Sequence, residues 1–551
     1  MQGPRWEERY PPGVEPTLTP RADSMLAAWR STVERLPDAP GLYYLGRPLS
    51  FASLDQMTDA LAVGFAEGGT RAGDRVGIYL QNDPQWVVGM VAAWKIGAIP
   101  VAMNPMLKAR ELRHHLADVG VTTLLCLESL YRDVVASVID DSGVARVITT
   151  HPLDLVPGSD GGEVWLASID EKAAPERAED LVDLLAAHRG ARPPDHHPGA
   201  ADVALLTFTS GTTGAAKGAM NLHGGMVHSS QVFTEWFDLD ERDVLLGMAP
   251  LFHITGSVAG MGVTILSGAP LILSHRFDAA ETLRMIEERR CTFGVGAITA
   301  FIALANDPTM KDRDLSSFTK VASGGASISP SIVERIRGET GMRIHPVYGL
   351  TETTSPTHMT PPGVEPPVDP NSGALAVGIP VPGVQVRIVD IDTGVDLGAG
   401  PEGEIVVTGP MVVPGYWDNP EASEHAIRDG WLFTGDIGVV DDDDWLYVVD
   451  RKKDLINAGG YKVWPREVED VLYEHPAVRE AAVVGIPDDY RGETVKAVIS
   501  KVPGAEVTEE ELIAFCRDNL AAYKYPRIIE IRDELPRTSS GKLLRRALRE
   551  D

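Results

Sequence analysis

Short apolar runs alternate with amphipathic stretches along the first part of the chain. Residues 75–80 and 121–126 are rich in aliphatic side chains and predict buried strands, whereas residues 83–97 repeat apolar positions at helical spacing from Pro84 onward. Strands that alternate with helices are typical of a parallel sheet covered by helices. The pattern restarts near residue 201, with further strands predicted at 203–207, 244–248, 270–273, 293–295 and 321–322.

The hydrophobic pattern changes after about residue 370. In residues 371–450, short apolar runs are separated by Gly and Pro, which predicts a small antiparallel β-barrel. Beyond residue 450 the chain is more charged, and helices are predicted at 465–473 and 508–520. The second helix begins with Thr508, and Glu511 follows at the spacing of a capping box. Strands in this last part are predicted at 481–486, 496–500 and 528–531.

These patterns predict an α/β fold with a separate α+β unit at the C-terminus. That unit has about 100 residues, a size that can fold alone. The whole chain of 551 residues also exceeds what one hydrophobic core normally supports. The predicted units are an N-terminal domain 1–450, with subdomains at about 1–200, 201–370 and 371–450, and a C-terminal domain 451–551.

The balance of charge argues against a nucleic-acid partner. Lys and Arg total 50 and Asp and Glu total 79, for a formal charge of −29, whereas phosphate backbones are bound by basic faces. The three cysteines, Cys126, Cys291 and Cys516, are far apart in apolar surroundings, so we predict buried free thiols. Residues 1–13 lack the apolar core of a signal peptide. A reducing, cytoplasmic location is therefore expected.

One uncharged stretch, residues 254–274, approaches the length of a membrane span. It contains the polar residues Ser257, Thr264 and Ser267, and the residues 268–270 interrupt it with Gly and Pro. We therefore predict a buried helix, a turn and a buried strand, and no transmembrane segment. Peripheral contact with a membrane is left open by this pattern.

A segment rich in glycine and hydroxyl residues, 207–218, follows the apolar run 203–206. It holds five hydroxyl residues, three glycines and Lys217. Glycine lets the backbone approach an anion closely, and successive N–H groups form an anion-binding concavity. A Walker A loop would need glycine at Ala216 and Ser or Thr at Gly218. The composition thus predicts a polyphosphate-binding loop of another type, and a solvated loop between strand and helix is the structural alternative.

The same segment resembles the signature of the adenylate-forming enzymes, which include acyl- and aryl-CoA ligases, luciferases and peptide-synthetase adenylation domains. Ala216 stands where the family usually has proline. The resemblance runs from about residue 40 to the C-terminus and is greatest to bacterial medium- and long-chain fatty acyl-CoA ligases. It implies a carboxylic acid substrate, with ATP, CoA and Mg²⁺ as cofactors. The other matching motifs lie, in the family's order, at 250–253, 323–326, 348–353, 434–436, 450–454, 459–461 and 536–542.

The resemblance also implies roles for individual residues. Tyr348 corresponds to a residue that stacks on adenine, and Glu352 to one that holds Mg²⁺, an ion that needs few carboxylates beside a triphosphate. Asp436 and Arg451 correspond to ribose contacts. His253 matches a gate or a polar contact to the substrate carboxylate, and a structural histidine is the alternative. The remaining residues implied to contact the nucleotide or phosphates are Thr209, Ser210, Gly211, Thr212, Thr213, Gly214, Lys217, Gly324, Gly325, Ala326, Gly349 and Thr351.

Lys542 matches the family's catalytic lysine. Attack of a carboxylate on the α-phosphate brings two anions together, and a unit charge about 4 Å away is worth about 4 kcal/mol at an effective dielectric of 20. Lys453 aligns with a hinge, which implies that domain 451–551 is a mobile lid. One closure places Lys542 over the substrates, and the other opens a CoA tunnel beside Gly459 and Gly460. The last basic residues, expected either to fray or to meet the CoA phosphates, are Arg545, Arg546 and Arg549.

The sequence therefore predicts a carboxylic acid–CoA ligase that acts through an acyl-adenylate, with Lys542, His253, Thr351 and Glu352 as its catalytic set. A medium- or long-chain fatty acid is the favoured substrate, and an aryl or steroid side-chain acid is the alternative. A luciferase-type oxygenase, a stand-alone adenylation domain and a non-catalytic nucleotide-binding module are the other classes considered. A homodimer is the family-level expectation. Small residues near the expected acyl pocket are Gly256, Gly296, Ala297 and Ala300.

Overall fold

The structure is a computed structural model. It describes residues 5–156, 169, 171–172, 175–209, 216–326, 328–451, 454–458, 461–488, 492–537 and 543–549. Three sheets and the helices around them make up the described part of the chain. The predicted fold class is confirmed, because two large sheets contain parallel strands and a smaller sheet is formed separately near the C-terminus.

The first sheet has seven strands. All neighbours are parallel except the last pair, in which Val203–Phe208 runs antiparallel to Gly218–Leu222. Parallel strands are buried on both faces, which explains the near-continuous apolar runs seen in the sequence. From one edge to the other the strands are Glu179–Asp180, Arg146–Thr150, Val121–Leu127, Arg75–Tyr79, Ile99–Ala102, Val203–Phe208 and Gly218–Leu222.

The second sheet has fourteen strands and is mixed. Its central strands are parallel, and the strands on the far side of Ile344–Leu350 are antiparallel. In order across the sheet they are Gln385–Val389, Gly403–Thr408, Trp431–Val440, Leu446–Arg451, Ala376–Pro380, Ser355–Met359, Ile344–Leu350, Lys320–Gly324, Phe293–Gly296, Leu245–Leu246, Leu271–Leu273, Pro40–Tyr44 and Arg47–Ser50, with Ile427–Arg428 paired to Trp431–Val440.

The two large sheets exchange segments across the boundary predicted at about residue 200. Pro40–Tyr44 pairs in parallel with Leu271–Leu273 of the second sheet, and Val203–Phe208 pairs with Ile99–Ala102 of the first. The predicted alternation of strands and helices is present. Which strands pair with each other, however, depends on tertiary packing, because the pairing strands are far apart in the sequence. Each sheet is therefore completed by strands from the other side of that boundary.

The antiparallel strands of residues 371–450, where the sequence predicted a small antiparallel β-barrel, are hydrogen-bonded to the second sheet. Ala376–Pro380 pairs on one side with Ser355–Met359 and on the other with Leu446–Arg451, so the short strands continue the second sheet. Ala376–Pro380 thereby has a paired strand on both sides and presents no open sheet edge. The domain and subdomain limits themselves remain sequence predictions.

The C-terminal sheet is built around one long hairpin, in which Val478–Asp488 pairs with Gly492–Lys501. The predicted helix at 508–520 is observed as Glu509–Asn519, and both hydrogen bonds of its capping box are formed by Thr508 and Glu511. The five strands of this sheet are Tyr461–Val463, Ile456–Ala458, Gly492–Lys501, Val478–Asp488 and Ile528–Arg532.

Two helices lie at the centre of the main core. Every residue of Pro84–Lys95 is buried, and so is nearly every residue of His223–Trp236, as expected for helices enclosed on all sides. The core between the sheets includes Trp86, Trp94 and Trp236. The α-helices are Met25–Arg35, Phe51–Glu67, Pro84–Lys95, Ala109–Asp118, Glu128–Asp133, Leu181–Ala187, His223–Trp236, Val263–Ser267, Ala279–Arg289, Ile298–Asn306, Pro330–Thr340, Pro420–Ala426, Pro465–Glu474, Glu509–Asn519 and Arg546–Arg549.

The long uncharged stretch folds as the sequence predicted. A π-helix, Gly256–Gly262, continues into the helix Val263–Ser267, and Gly268 ends it with φ of +84° before the buried strand Leu271–Leu273. Among the described residues, no helix is both long enough and apolar enough to cross a membrane.

The three cysteines are buried and free, as predicted. Burial raises the pKa of the Cys291 and Cys516 thiols to about 12, and it raises the pKa of Cys126 further. These thiols are therefore protonated small hydrophobic groups at neutral pH, and none is activated as a nucleophile.

Candidate active site

The carboxyl ends of two neighbouring parallel strands, Lys320–Gly324 and Ile344–Leu350, form the base of the candidate site. Ligands of open α/β sheets bind at such ends. The backbone is crowded there: a Cβ on Gly324 would lie 2.5 Å from the carbonyl oxygen of Val347, and one on Gly349 would lie 1.8 Å from that of Ser355. Both positions therefore require glycine, and the predicted glycine turn is explained by packing even before any ligand is considered.

Two residues predicted to contact the nucleotide meet directly at this base. The Tyr348 hydroxyl donates a hydrogen bond of 2.8 Å to Oδ2 of Asp436, although the residues are 88 positions apart. Both side chains are buried, with 8% of Tyr348 and 4% of Asp436 exposed. A buried carboxylate needs such donors. The pair therefore holds a negative charge and an aromatic ring side by side in fixed orientation.

Asp436 is itself positioned by the strand that carries it, Trp431–Val440. Its backbone N–H donates to Oγ1 of Thr434 at 3.1 Å, and that hydroxyl donates to the carbonyl oxygen of Ile405 at 2.7 Å. Asp436 is also the register partner of Arg451 on the next strand. The backbone thus places two predicted ribose contacts opposite each other, while the side chain of Arg451 lies outside the described residues.

Glu352, the predicted Mg²⁺ ligand, is bound by a residue that the sequence reasoning missed. The Tyr416 hydroxyl donates to Oε1 of Glu352 at 2.7 Å. Burial, with the nearby Glu352 charge, raises the pKa of Tyr416 well above its ordinary value, so the phenol stays protonated and remains a donor. The only sequence signal for Tyr416 was an aromatic residue after Gly415 in a Gly/Pro-rich segment.

The glycine-rich segment joins two strands of the first sheet. Thr209 donates its N–H to the carbonyl oxygen of Lys217 at 3.0 Å, which closes the base of a hairpin between Val203–Phe208 and Gly218–Leu222. The alternative of a loop between strand and helix is therefore wrong. The predicted residues Ser210, Gly211, Thr212, Thr213 and Gly214 lie outside the described part of the chain.

Lys217 faces the same tyrosine that binds Glu352. Its Nζ lies 5.1 Å from the centre of the Tyr416 ring, within the range of a cation–π contact. The backbone of Tyr416 forms a bridge with Ala219, and Trp417 donates its N–H to the carbonyl oxygen of Gly218 at 2.8 Å. Tyr416 therefore contacts both the Lys217 cation and the Glu352 carboxylate, which come from distant motifs.

A buried asparagine, also missed by sequence reasoning, ties the hairpin to the turn that carries Glu352. Nδ2 of Asn221 donates to the carbonyl oxygen of Thr351 at 3.0 Å and to Oγ1 of Thr354 at 3.1 Å. Thr351 begins a 3₁₀ turn that ends at Thr353. Asn221 thus fixes the distance between the Gly218–Leu222 strand and the two predicted residues Thr351 and Glu352.

His253 lies at the entrance to the π-helix. Its carbonyl oxygen accepts the N–H of Ser257 at 3.1 Å, and its Nδ1 is 3.3 Å from the N–H of Thr255. π-helical turns are frequent at functional sites. Gly256 is required there, because a Cβ would lie 2.1 Å from the carbonyl oxygen of Pro250. These contacts support the structural role of His253 and leave its gating role a prediction.

A cavity of about 520 Å³ borders the segment before His253. Its walls are mainly apolar, and it lies at the carboxyl ends of strands from both large sheets. Side chains that line it include Met248, Phe252, Ile272 and Met285. The four small residues expected near an acyl pocket, Gly256, Gly296, Ala297 and Ala300, all belong to the described chain, and none of them lines this cavity.

Basic residues near the C-terminus contact carboxylates. Arg545 binds both oxygens of Glu469 at 2.7 and 2.8 Å, and Arg549 lies 3.2 Å from Asp454. Local acids therefore neutralise these two arginines in this arrangement, and their contact with CoA phosphates stays a prediction. Other predicted residues, namely Lys453, Gly459, Gly460 and Lys542, and the side chain of Arg546, lie outside the described residues.

The donor set fits the implied magnesium ion without a preformed cage. Within the residues that the structure covers, no three His, Cys, Asp or Glu side chains are grouped to hold a metal. Mg²⁺ usually binds through one or two carboxylates, substrate phosphates and water. Glu352 is such a carboxylate, and its hydrogen bond from Tyr416 fixes one oxygen and its orientation.

Comparisons with known proteins give matches along almost the whole chain. The family of AMP-binding enzymes matches residues 29–417, and the C-terminal domain of AMP-binding enzymes matches residues 467–542. A long-chain-fatty-acid–CoA ligase of Bacillus subtilis is 36% identical over 99% of this chain and 98% of that protein. A feruloyl-CoA synthase of Amycolatopsis is 34% identical over 95% and 98%. The o-succinylbenzoate CoA synthetase of Bacillus subtilis, solved with its acyl-adenylate intermediate, superimposes with a TM-score of 0.79 at 27% identity, covering 97% and 99%.

Proposed function

We propose that this chain, which belongs to the AMP-binding enzyme family, joins a medium- or long-chain fatty acid to CoA through an acyl-adenylate. ATP and the acid give acyl-AMP and pyrophosphate, and the CoA thiol then displaces AMP. The observation that carries the proposal is the hydrogen bond between Tyr348 and Asp436, because it joins an aromatic platform near the carboxyl end of a parallel strand to a carboxylate that can bind hydroxyl groups.

The chain's own residues supply binding, orientation and charge. Lys217 and the N–H groups of the glycine-rich segment attract the polyphosphate, and Glu352 holds Mg²⁺, which neutralises phosphate charge when bound. Lys542 is proposed to approach the α-phosphate from the C-terminal domain. The substrate carboxylate and the CoA thiol perform the two attacks, so no protein nucleophile is needed, in agreement with the inert cysteines.

The role of Lys542 is tested by separating the two half-reactions. We expect Lys542→Ala to lower adenylate formation by about 10²- to 10³-fold, because one preorganised charge at the transition state is lost. Conversion of supplied acyl-AMP and CoA to the thioester should be spared. Pyrophosphate release and thioester formation are measured separately. Lys501→Ala, at the end of a strand in the same domain, is the control. Equal losses in both half-reactions would contradict the two-closure account.

The acid is tested with a panel. The relative of Bacillus subtilis named above supports a long-chain acid, and the mainly apolar cavity of about 520 Å³ is within the range of roughly 300–1,000 Å³ typical of ligand sites. We expect octanoate or palmitate to drive faster CoA consumption than acetate, benzoate or coumarate. The feruloyl-CoA synthase relative favours an aryl acid as the second candidate, which preferential turnover of coumarate would establish.

Three further properties belong to the same proposal. Mg²⁺ is the expected metal, a reducing cytoplasm the expected location, and a homodimer the expected assembly. Loss of pyrophosphate release on chelation, restored by added Mg²⁺, tests the first. Fractionation of cells tests the second and also any peripheral association with membranes. Sedimentation of the full chain tests the third, and a monomer would remove the dimer from the proposal.

A further inference from the structure

We infer that Arg466 is a positioning residue that latches the C-terminal domain onto the nucleotide-binding body and thereby biases the two half-reactions. The inference rests on the proposed two-step function. Arg466 is the second residue of the helix Pro465–Glu474 and is 4% exposed, which is unusual for an arginine. A guanidinium this deeply buried requires acceptors, and their identity shows what it holds together.

Both hydrogen-bond acceptors of the guanidinium belong to the body of the protein, whereas its Nε forms an ion pair of 3.6 Å with Asp470 of the same helix. Nη2 of Arg466 donates to the carbonyl oxygen of Ile328 at 3.0 Å, and Nη1 donates to the carbonyl oxygen of Val448. Ile328 follows the glycine turn that ends the strand Lys320–Gly324. Val448 lies on the strand next to the one that carries Asp436. One side chain therefore contacts two segments that adjoin strands of the candidate site, Lys320–Gly324 and Trp431–Val440.

The backbone of Arg466 is anchored at the same place. Its N–H donates to Oδ2 of Asp450 at 3.0 Å, which satisfies a donor at the N-terminus of the helix. Asp450 is 5% exposed, and its other oxygen lies 3.4 Å from Nη1 of Arg545. Asp450 also precedes the predicted hinge residue Lys453 by only three positions. The contacts of Arg466 thus cross the hinge.

Arg545 fixes the helix that carries Arg466 within the C-terminal unit. Arg545 binds Glu469, on the same helix as Arg466, through both carboxylate oxygens, and also lies 3.6 Å from Asp454. Arg545 follows Lys542 by three residues. The helix, the segment after Lys542 and the body are consequently linked through one set of buried charges.

A rotation about the hinge must break the contacts between Arg466 and the two carbonyl groups, whereas the bond between Arg545 and Glu469 can move with the domain. Hydrogen bonds to a buried charged donor are among the stronger ones in proteins. A few such bonds are enough to change the equilibrium between two packed domain arrangements. Arg466 therefore stabilises the present orientation against the alternative one. Its loss must change the two half-reactions by different factors.

The test uses Arg466→Met, which removes the donors, and Arg466→Lys, which keeps the charge but offers a single point donor in place of the planar fork. Both half-reactions are measured as for Lys542. We expect the ratio of adenylation to thioesterification rates to change about tenfold or more, in either direction. Arg517→Met, at a position whose side chain is 60% exposed in the same domain, should leave the ratio unchanged. An unchanged ratio in both Arg466 variants overturns the inference.

Domain orientation supplies a readout that does not depend on activity. The native cysteines are buried, so dyes can be attached selectively to Val395→Cys on the body and Asp518→Cys on the C-terminal domain, both at exposed positions. We expect energy transfer in the Arg466 variants to show a second population or a shifted distance. A wild-type distribution in a variant whose thermal unfolding is still cooperative overturns the latch. Absence of both half-reactions in the wild type, with a shifted distance in the variants, would refute the proposed function and leave the latch supported.

Discussion

Replacing Tyr348 with Phe separates the two functions assigned to this residue. The ring, and hence the proposed adenine contact, is kept, while the hydroxyl that donates to Asp436 at 2.8 Å is lost. A hydrogen bond to a charged acceptor contributes about 1.5–3 kcal/mol. Only 4% of Asp436 is exposed, so water cannot readily replace the lost donor. We expect the affinity for ATP to fall by about ten- to a hundredfold.

The assay is ATP–pyrophosphate exchange at saturating fatty acid, with direct calorimetric binding of ATP as a second measurement. The KM for the acid should change little, because the hydroxyl faces Asp436, the carboxylate proposed to bind the ribose. Tyr447→Phe is a matched control: its hydroxyl donates to Oδ2 of Asp441 at 2.7 Å, which is the same type of bond on a neighbouring strand.

A double-mutant cycle with Asp436→Asn assigns the loss to the pair. Because the two side chains are in contact, their effects should be non-additive by about 1–2 kcal/mol. If Tyr348→Phe binds ATP like the wild type, or if Tyr447→Phe shows an equal loss, the proposed ribose site is refuted.

The remaining predictions concern Glu352 and His358, a fully buried histidine on the strand Ser355–Met359. Tyr416→Phe removes the donor to Glu352, and we expect the Mg²⁺ concentration needed for half-maximal pyrophosphate exchange to rise by several-fold to about tenfold; an unchanged Mg²⁺ titration would contradict the positioning of this carboxylate. Burial lowers the pKa of His358 to about 3, so between pH 6.5 and pH 4 the unfolded chain binds a proton that the folded chain does not, and stability falls on acidification. The contribution is about 1.36 kcal/mol per pH unit, roughly 3 kcal/mol over that range. Denaturant unfolding of the wild type and His358→Gln should therefore differ in their slopes against pH, and equal slopes would contradict this account.

Much of the secondary structure was accessible from local pattern. The strand predicted at 121–126 is observed as Val121–Leu127, and the helix at 465–473 as Pro465–Glu474. The capping box of Thr508 was predicted correctly because it depends on residues only three positions apart. The strand predicted at 244–248 shortens to Leu245–Leu246, since sheet pairing and not apolar content decides where a strand ends.

The missed site residues share a physical reason. Tyr416 and Asn221 have no motif of their own, and each acts through a partner more than 60 positions away, with separations of 64 and 130. A lone tyrosine or asparagine is an ordinary residue until the fold brings a carboxylate or a carbonyl group to it. The same applies to Arg545, whose basic neighbourhood suggested phosphate contacts before the structure placed Glu469 beside it.

The sequence by itself determined the family resemblance and the candidate chemistry: a glycine- and hydroxyl-rich segment with one lysine, a set of ordered motifs, a net negative charge and three widely spaced cysteines. These features are local, so composition and spacing are enough to find them. Only the tertiary structure decided which strands exchange between the two large sheets, that Tyr348 meets Asp436, and that Arg466 binds the carbonyl groups of Ile328 and Val448. Those outcomes depend on contacts between residues distant along the chain, where burial requires each polar group to find a partner that no local pattern specifies.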